Sequence, residues 1–336
     1  MPPTPAPSGA FSYVLPIASA RPADIGLDGY LAWVGSLCDL VVVDDSPPDV
    51  FAEHHRRWSR YGRHVAPQER TLCGKVGNVL TGLRLAAHDR VVVADDDVRY
   101  GAELFELVAR LDQADVARPQ NYFLDLPWHA VWDSGRSLLN RLLGGDWPGT
   151  LAVRRTPLLA AGGYAGDVLF ENYELCRTVE AAGGRHVLAV DVFVGRVPPS
   201  ARHFLGQRVR QAYDEWARPV RMASFLAVAP ALALAGARWG RAGASRAAAL
   251  LGLLAIGAAE GGRRRAGATS VFPLRCSLAA PLWVAERSIC SWAAVVARLR
   301  GGVVYRDRRI ERAALSDSER ARRVAAALAH GASPAA

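Results

Sequence analysis

Hydrophobic and polar positions follow two different periods along the chain. Short β-branched runs at Ser12–Ile17, Leu40–Asp44 and Arg90–Ala94 read as strands, and His186–Val194 is apolar enough for a buried one. Between them lie helix-length stretches: Leu27–Leu37, a polar segment Val50–Gly62, and Lys75–Ala87. In the last, Val76, Val79, Leu80, Leu83 and Ala87 recur at helical spacing and predict an amphipathic helix. Ala102–Leu111 reads as helical and Val116–Arg118 as extended. Trp128–Leu143 predicts a helix stopped by Gly144-Gly145, and Glu171–Ala182 another closed by Gly183-Gly184. Strands separated by helices argue for a mostly parallel α/β sheet.

The last third has a different pattern. Met222–Ala237 runs 16 residues without a charge, Ala247–Ala259 runs 13, and Cys276–Ala297 is apolar except for Glu286-Arg287. A spanning helix needs about 20 apolar residues. Short spans with snorkelling arginines, or helices lying in the membrane interface, fit these lengths; a buried soluble helical subdomain is the alternative. Arg221, Arg238, Arg241, Arg246 and Arg263-Arg264-Arg265 flank the first two segments, as expected on a cytoplasmic face. A hairpin, out along Met222–Ala237 and back along Ala247–Ala259, keeps both termini on that face.

Charge sharpens the division. Residues 1–195 carry 18 Lys/Arg against 24 Asp/Glu, whereas residues 196–336 carry 23 against 8. A basic half implies an anionic partner, and the apolar segments between its arginines favour lipid over nucleic acid, which wants interleaved stacking aromatics. The five cysteines show no CxxC pair, which suits reduced thiols in a cytosolic compartment. The proline-rich opening, residues 1–10, lacks the basic and apolar regions of a signal peptide and reads as a loose tail. His54-His55, His129, His186 and His203 lack tight ligand spacing and read as ordinary histidines; Trp128, Trp132 and Trp147 are candidates to line an acceptor cleft.

The candidate chemistry lies at strand ends. The run Arg90–Ala94 delivers Asp95-Asp96-Asp97, and Leu40–Val43 delivers Asp44-Asp45. Adjacent carboxylates repel, so such clusters imply a cationic partner, and hard oxygen ligands favour Mg2+ or Mn2+. In an open parallel sheet, ligands bind beyond the carboxyl ends of strands, so the two acidic ends are expected to face one crevice.

Further landmarks follow in order: Gly74-Lys75-Val76-Gly77-Asn78, with the chain's only lysine; Gly149 through Arg155; Gly162-Gly163-Tyr164; Phe170-Glu171-Asn172-Tyr173-Glu174; and Gln207-Arg208-Val209-Arg210-Gln211. Over about residues 11–216 this order resembles the family 2 inverting glycosyltransferases of GT-A fold, particularly the branch similar to ceramide glucosyltransferases and hopanoid glycosyltransferases. The resemblance implies a GT-A catalytic domain at 11–216, a membrane-associated helical region at 217–300 and a basic cytoplasmic tail at 301–336. It implies transfer of one sugar from a nucleotide-diphosphate sugar, a UDP-sugar first, to a lipid or membrane-linked acceptor at the cytoplasmic face of a bacterial-type inner membrane. Asp44 and Asp45 would sit by the base and ribose, Lys75 by the phosphates, and Asp95 and Asp97, with Asp96 between them, at the donor and its metal. Gln207 and Arg210 would contact the diphosphate.

Inversion needs a base for the acceptor hydroxyl. The family places an acid pair where this chain has Glu171-Asn172, so Glu171 is the expected base and Glu174, one turn on, the reserve. Gln211 stands where the family's QxxRW-like element has Trp, which argues against a processive polymer synthase. Two rivals remain open at this point: a transferase-like binding protein that has lost its base, kept alive by Asn172, and a nucleotidyltransferase on a similar sheet.

Overall fold

The computed structural model describes residues 10–305 and 308–331; the N-terminal stretch expected to be a loose tail lies almost wholly outside them. The chain opens β1 (Ser12–Ile17), α1 (Gly26–Leu37), β2 (Asp39–Asp44), α2 (Pro48–Trp58), β3 (Arg63–Val65), α3 (Gly74–Leu85), β4 (Arg90–Ala94), β5 (Val98–Arg99) and α4 (Glu103–Ala109). It continues with β6 (Val116–Phe123), α5 (Trp128–Leu143), β7 (Thr150–Arg154), α6 (Arg155–Ala160), α7 (Glu171–Ala181) and β8 (His186–Arg196). Then come α8 (Ala201–Gly206), α9 (Arg208–Tyr213), α10 (Pro219–Arg264), α11 (Leu274–Leu278), α12 (Ala280–Leu299), a small hairpin β9 (Val303–Tyr305) and β10 (Arg308–Ile310), and α13 (Asp317–Gly331).

The eight-stranded sheet has the order β3-β2-β1-β4-β7-β6-β8-β5. β3, β2, β1 and β4 run parallel, and β7 pairs antiparallel with both β4 and β6. The parallel strands are valine-rich because both faces are covered: Val14, Leu15, Val41, Val43, Val91 and Val92 are all enclosed. Hydrophobic pattern does not single out β3, β5, β7, β9 or β10: β3, β9 and β10 are three residues long, β5 is two, and β7 ends in exposed Arg154.

The register places the two acidic ends on one edge. Ile17 pairs with Asp44 across β1 and β2, while Val14 pairs with Val93 across β1 and β4. The ends of β2 and β4 are therefore two strand spacings apart, about 10 Å. Asn78 on α3 clasps this edge from above, its amide donating to Ile17 O (3.2 Å) and Val43 O (3.5 Å).

The chain divides into two compact units that do not follow sequence order. The first comprises Met1–Pro119, Trp147–Val194 and Leu315–Ala336; the second comprises Gln120–Asp146 and Gly195–Ala314. α13, within the stretch expected to be a basic tail, is thus part of the first unit.

In the second unit α10 is two helical arms joined at Gly240, whose backbone (φ 66, ψ −171) is non-helical. In one straight helix residues eight apart lie about 12 Å apart along the axis. Here a Cβ on Gly236 would lie 3.6 Å from that of Ala244, so the chain doubles back. The hairpin base is tied to α5, where the buried Arg141 donates to Gly262 O (3.2 Å) and Arg265 O (2.6 Å). Of the most apolar stretch of this segment only 11% is buried, with Leu234, Trp239, Leu250, Leu253 and Leu254 exposed. α10 with its continuation to Ser270 is long and apolar enough to cross a membrane.

The dihedrals of Gly240 lie in a region essentially closed to residues with a Cβ, so G240A should destabilise the hairpin by about 1–3 kcal/mol. A lower melting temperature in far-UV circular dichroism checks this; an unchanged melt would show that the reversal does not depend on glycine.

Candidate active site

The site is built from the N-terminal turn of α3, the β4–β5 turn and the start of α7. Lys75 sits one turn before Asn78, so the clasp that fixes Asn78 on the sheet edge also fixes the lysine. Its Nζ lies 2.6 Å from Asp95 Oδ1 and 2.6 Å from Glu171 Oε1. Burial pushes the ammonium toward its neutral form, but the charges and hydrogen bonds of Asp95 and Glu171 outweigh it and hold Lys75 well above the usual lysine range. Two acids and the lysine, 96 residues apart in sequence at the extremes, thus form one half-buried trio with a net negative charge.

Asp95 opens a tight turn in which Val98 N donates to Asp95 O (3.1 Å), and Asp95 N donates to Gly149 O (2.8 Å). The approach of β7 requires glycine: a Cβ on Gly149 would lie 2.5 Å from Asp95 Oδ2. The turn leaves Asp96 exposed and Asp95 and Asp97 half-buried. The donor set at this end is carboxylate oxygen alone, which suits a hard divalent cation. Asp95 already shares its charge with Lys75.

Asn172 has a task that aspartate could not perform. Its amide Nδ2 donates to Pro148 O (2.9 Å), whereas an ionised carboxylate has no proton to give. This bond ties the first turn of α7 to the segment bordering Asp95. Trp147, Phe170 and Tyr173 cluster beside it, with ring centroids 5.2 Å apart in each pairing. Of the three tryptophans suggested for an acceptor cleft, Trp147 is the one in this unit; Trp128 and Trp132 pack with Phe204 in the other.

Two expectations need correction. Asp44 does not face a ligand: its side chain is fully enclosed, with Oδ2 bonded to His54 Nδ1 (2.7 Å) and His64 Nε2 (3.1 Å) and Oδ1 accepting from Ser46 N (2.9 Å). Burial pushes its carboxyl up, but bonds from His64, Ser46 and His54 prevail and hold it at about 2. Its neighbour Asp45 is the more open of the pair, bonded to Arg70 (3.1 Å) and lying beside Gly74 at the start of α3. Glu174 is likewise withdrawn, fully buried with both oxygens engaged by Arg320 (2.8 and 2.9 Å) and Leu315 N (3.0 Å). That leaves Glu171 as the acid of the first turn of α7 that meets Lys75. His54 is a buried histidine of the Asp44 cluster.

His54 and His64 around Asp44 resemble a metal-ligand trio, and the hydrogen bonding decides otherwise. Ala23 N–H donates to His54 Nε2 (2.9 Å), so the ring proton is on Nδ1 and is given to Asp44. A nitrogen that carries a proton has no lone pair for a metal. The cluster instead locks the end of β2 to α2 and β3. Sequence reasoning missed it because the three residues come from three elements, 10 and 20 positions from Asp44. Gln207 and Arg210 belong to the second unit, where Arg210 donates to Gln207 Oε1 and its guanidinium lies 5.0 Å from the ring of Tyr305.

With this geometry in place, comparison with known proteins is informative. The model of the family described as Glycosyl transferase family 2 matches residues 31–144, about a third of the chain, including Lys75 and all five acids of the strand ends. No curated protein matches by sequence. Among solved structures, the mannosyltransferase PcManGT from Pyrobaculum calidifontis, in complex with GDP-Man and Mn2+, superposes with a TM-score of 0.50 at 18% identity, covering 86% of this chain and 89% of that one. The fold is GT-A-like. S. aureus TarS 1-349 in complex with UDP (TM-score 0.40, 16% identity, 60% and 64% coverage) is also similar in part. So is M. tuberculosis glucosyl-3-phosphoglycerate synthase (TM-score 0.38, 21% identity, 59% and 76%).

Because Asp44 is held below its ordinary value, its charge stabilises the fold above about pH 4, and this contribution is lost as pH falls toward 2. D44N should therefore cost about 2 kcal/mol near neutral pH, a difference from wild type that shrinks on acidification. Denaturant melts of both proteins at pH 6 and pH 3 measure it.

Proposed function

We propose that the protein is a membrane-associated inverting glycosyltransferase that moves a single sugar from a nucleotide-diphosphate sugar to a lipid or membrane-linked acceptor on a cytoplasmic face. The observation that carries this reading is the Lys75 bridge between Asp95 and Glu171 at the carboxyl edge of a parallel sheet. It puts a cation for the diphosphate, an acid for the donor and an acid for the acceptor within one side-chain length of each other. The family match and the GT-A-like fold support the donor class. A UDP-sugar is the first candidate, and GDP-Man in the similar mannosyltransferase makes a GDP-sugar the second.

Lys75, in the first turn of α3, would lie against the donor phosphates. Mg2+ or Mn2+ would be held by Asp95 and Asp97 and would neutralise charge on the departing nucleotide diphosphate as a Lewis acid. Asp45, at the end of β2, would accept hydrogen bonds from the nucleoside. When a diphosphate draws on the lysine's charge, Glu171 is released from its ion pair and can take the proton of the acceptor hydroxyl as that oxygen attacks the anomeric carbon from the opposite side.

The membrane part rests on the second unit. A hairpin apolar on nearly all sides and largely uncovered needs a non-aqueous surrounding, and its base carries Arg221 and Arg263-Arg264-Arg265. An acceptor presented at that surface would be a lipid or lipid-linked molecule.

E171Q should lower kcat by a factor of about 10²–10⁴ while leaving donor binding intact, as expected for loss of a general base. D97A should abolish both donor hydrolysis and transfer. The measurement is a nucleotide-sugar screen with Mg2+ or Mn2+ over membrane lipid extracts, read by mass spectrometry. Full activity in either variant would exclude the assigned role.

A further inference from the structure

The chain's last helix returns to the first unit and takes hold of the helix that carries Glu171. Arg320 on α13 donates from Nε to Glu174 Oε1 (2.8 Å) and from Nη2 to Glu174 Oε2 (2.9 Å), a bidentate pair across 146 residues with side chains 3% and 0% exposed. The same guanidinium donates to Leu315 O (2.7 Å) and pairs with Asp317 (2.7 Å), so its own orientation is fixed. Asp317 also reaches Arg177, one turn beyond Glu174 on α7 (3.2 Å). At the far end of α13, a Cβ on Gly162 would meet that of Ala327 at 3.0 Å, just before the Tyr164 loop that leads into α7.

The first turn of α7 is therefore held at two points just after the reactive acid. Asn172 is bonded to Pro148 O, and Glu174 is bonded to Arg320 while its backbone N–H closes the turn on Phe170 O (3.0 Å). Glu171 lies within that turn and can meet Lys75 at 2.6 Å only while the turn keeps its position. Glu174 is fully buried, so without Arg320 its charge would be uncompensated and the turn would have to move to hydrate it.

We infer that Arg320 is a positioning residue: through Glu174 it sets the first turn of α7 and thereby the Lys75–Glu171 contact on which proton transfer from the acceptor depends. The C-terminal helix is thus a working part of the catalytic unit. This rests on the reading of Glu171 as the base, but the contact itself can be tested without a donor, because Lys75 is the only lysine in the chain.

The test is the rate at which an amine reagent, succinimidyl acetate, acetylates Lys75 in the folded full-length protein, located by peptide mass spectrometry. Wild type should label slowly because its ammonium is held by two carboxylates. R320Q should label about tenfold faster, because the amine loses one of the two carboxylates that engage it and is more open to the reagent. R320K, which keeps the charge, should fall between. Should R320Q fail to fold, E174Q/R320Q, which buries a neutral amide pair, carries the same measurement and should also label faster than wild type. A purely structural clamp would lower the melting temperature and leave labelling of the folded protein unchanged. Labelling of the folded variants at the wild-type rate overturns the inference. In a turnover assay the same variants should lose kcat by about 10- to 100-fold, with the donor KM within a factor of about two. An inactive wild type whose variants label faster would sink the transferase reading and leave the positioning role standing.

Discussion

A single ammonium group between two carboxylates organises the first unit. Lys75, from the start of α3, draws together the end of β4 and the start of α7, two elements that would otherwise face one another with like charges. Asp95 and Glu171 could not share this half-buried space without the cation, and the lysine could not stay charged there without them. What surrounds the trio serves to hold its members still. Asn78 fixes the lysine's helix to the sheet edge, Gly149 lets β7 close on Asp95, and Asn172 and Glu174 fix the turn that carries Glu171. A trio with one negative charge left over is also suited to receive a divalent cation or to exchange its lysine contact for a phosphate.

The sheet and its acidic edge were legible in the chain because they follow from local chemistry. Valine-rich runs that end in aspartate fit strands of a covered parallel sheet that stop where water begins, and β1, β2 and β4 have the expected bounds to within a residue. The glycine pair after Leu143 ended α5 where expected. β3 carries too few residues for any period to register, and β7 reverses direction in a way no local pattern records.

The site was legible only in part. Lys75, Asp95 and Glu171 could be named individually, but not that one atom of the first touches both others. Asp44 looked equivalent to Asp45 because they are adjacent, yet strand alternation sends one side chain into the His54 and His64 cluster and leaves the other at the edge. Glu174 looked like a second candidate base because helical spacing places it beside Glu171. What removes it from that role is an arginine 146 residues away, in the stretch expected to be a basic cytoplasmic tail. Pairings of that reach leave no mark on local composition.

The central claim, that one lysine is held by Asp95 and Glu171 and yields to a diphosphate, can be tested on a single nucleus. With 15N-lysine incorporated, the protein has one side-chain ammonium signal. The account predicts that this signal persists to pH values above the ordinary lysine range of about 10.4 and shifts on addition of UDP or GDP with Mg2+. A lysine that titrates at its ordinary value and does not respond to either nucleotide would contradict it.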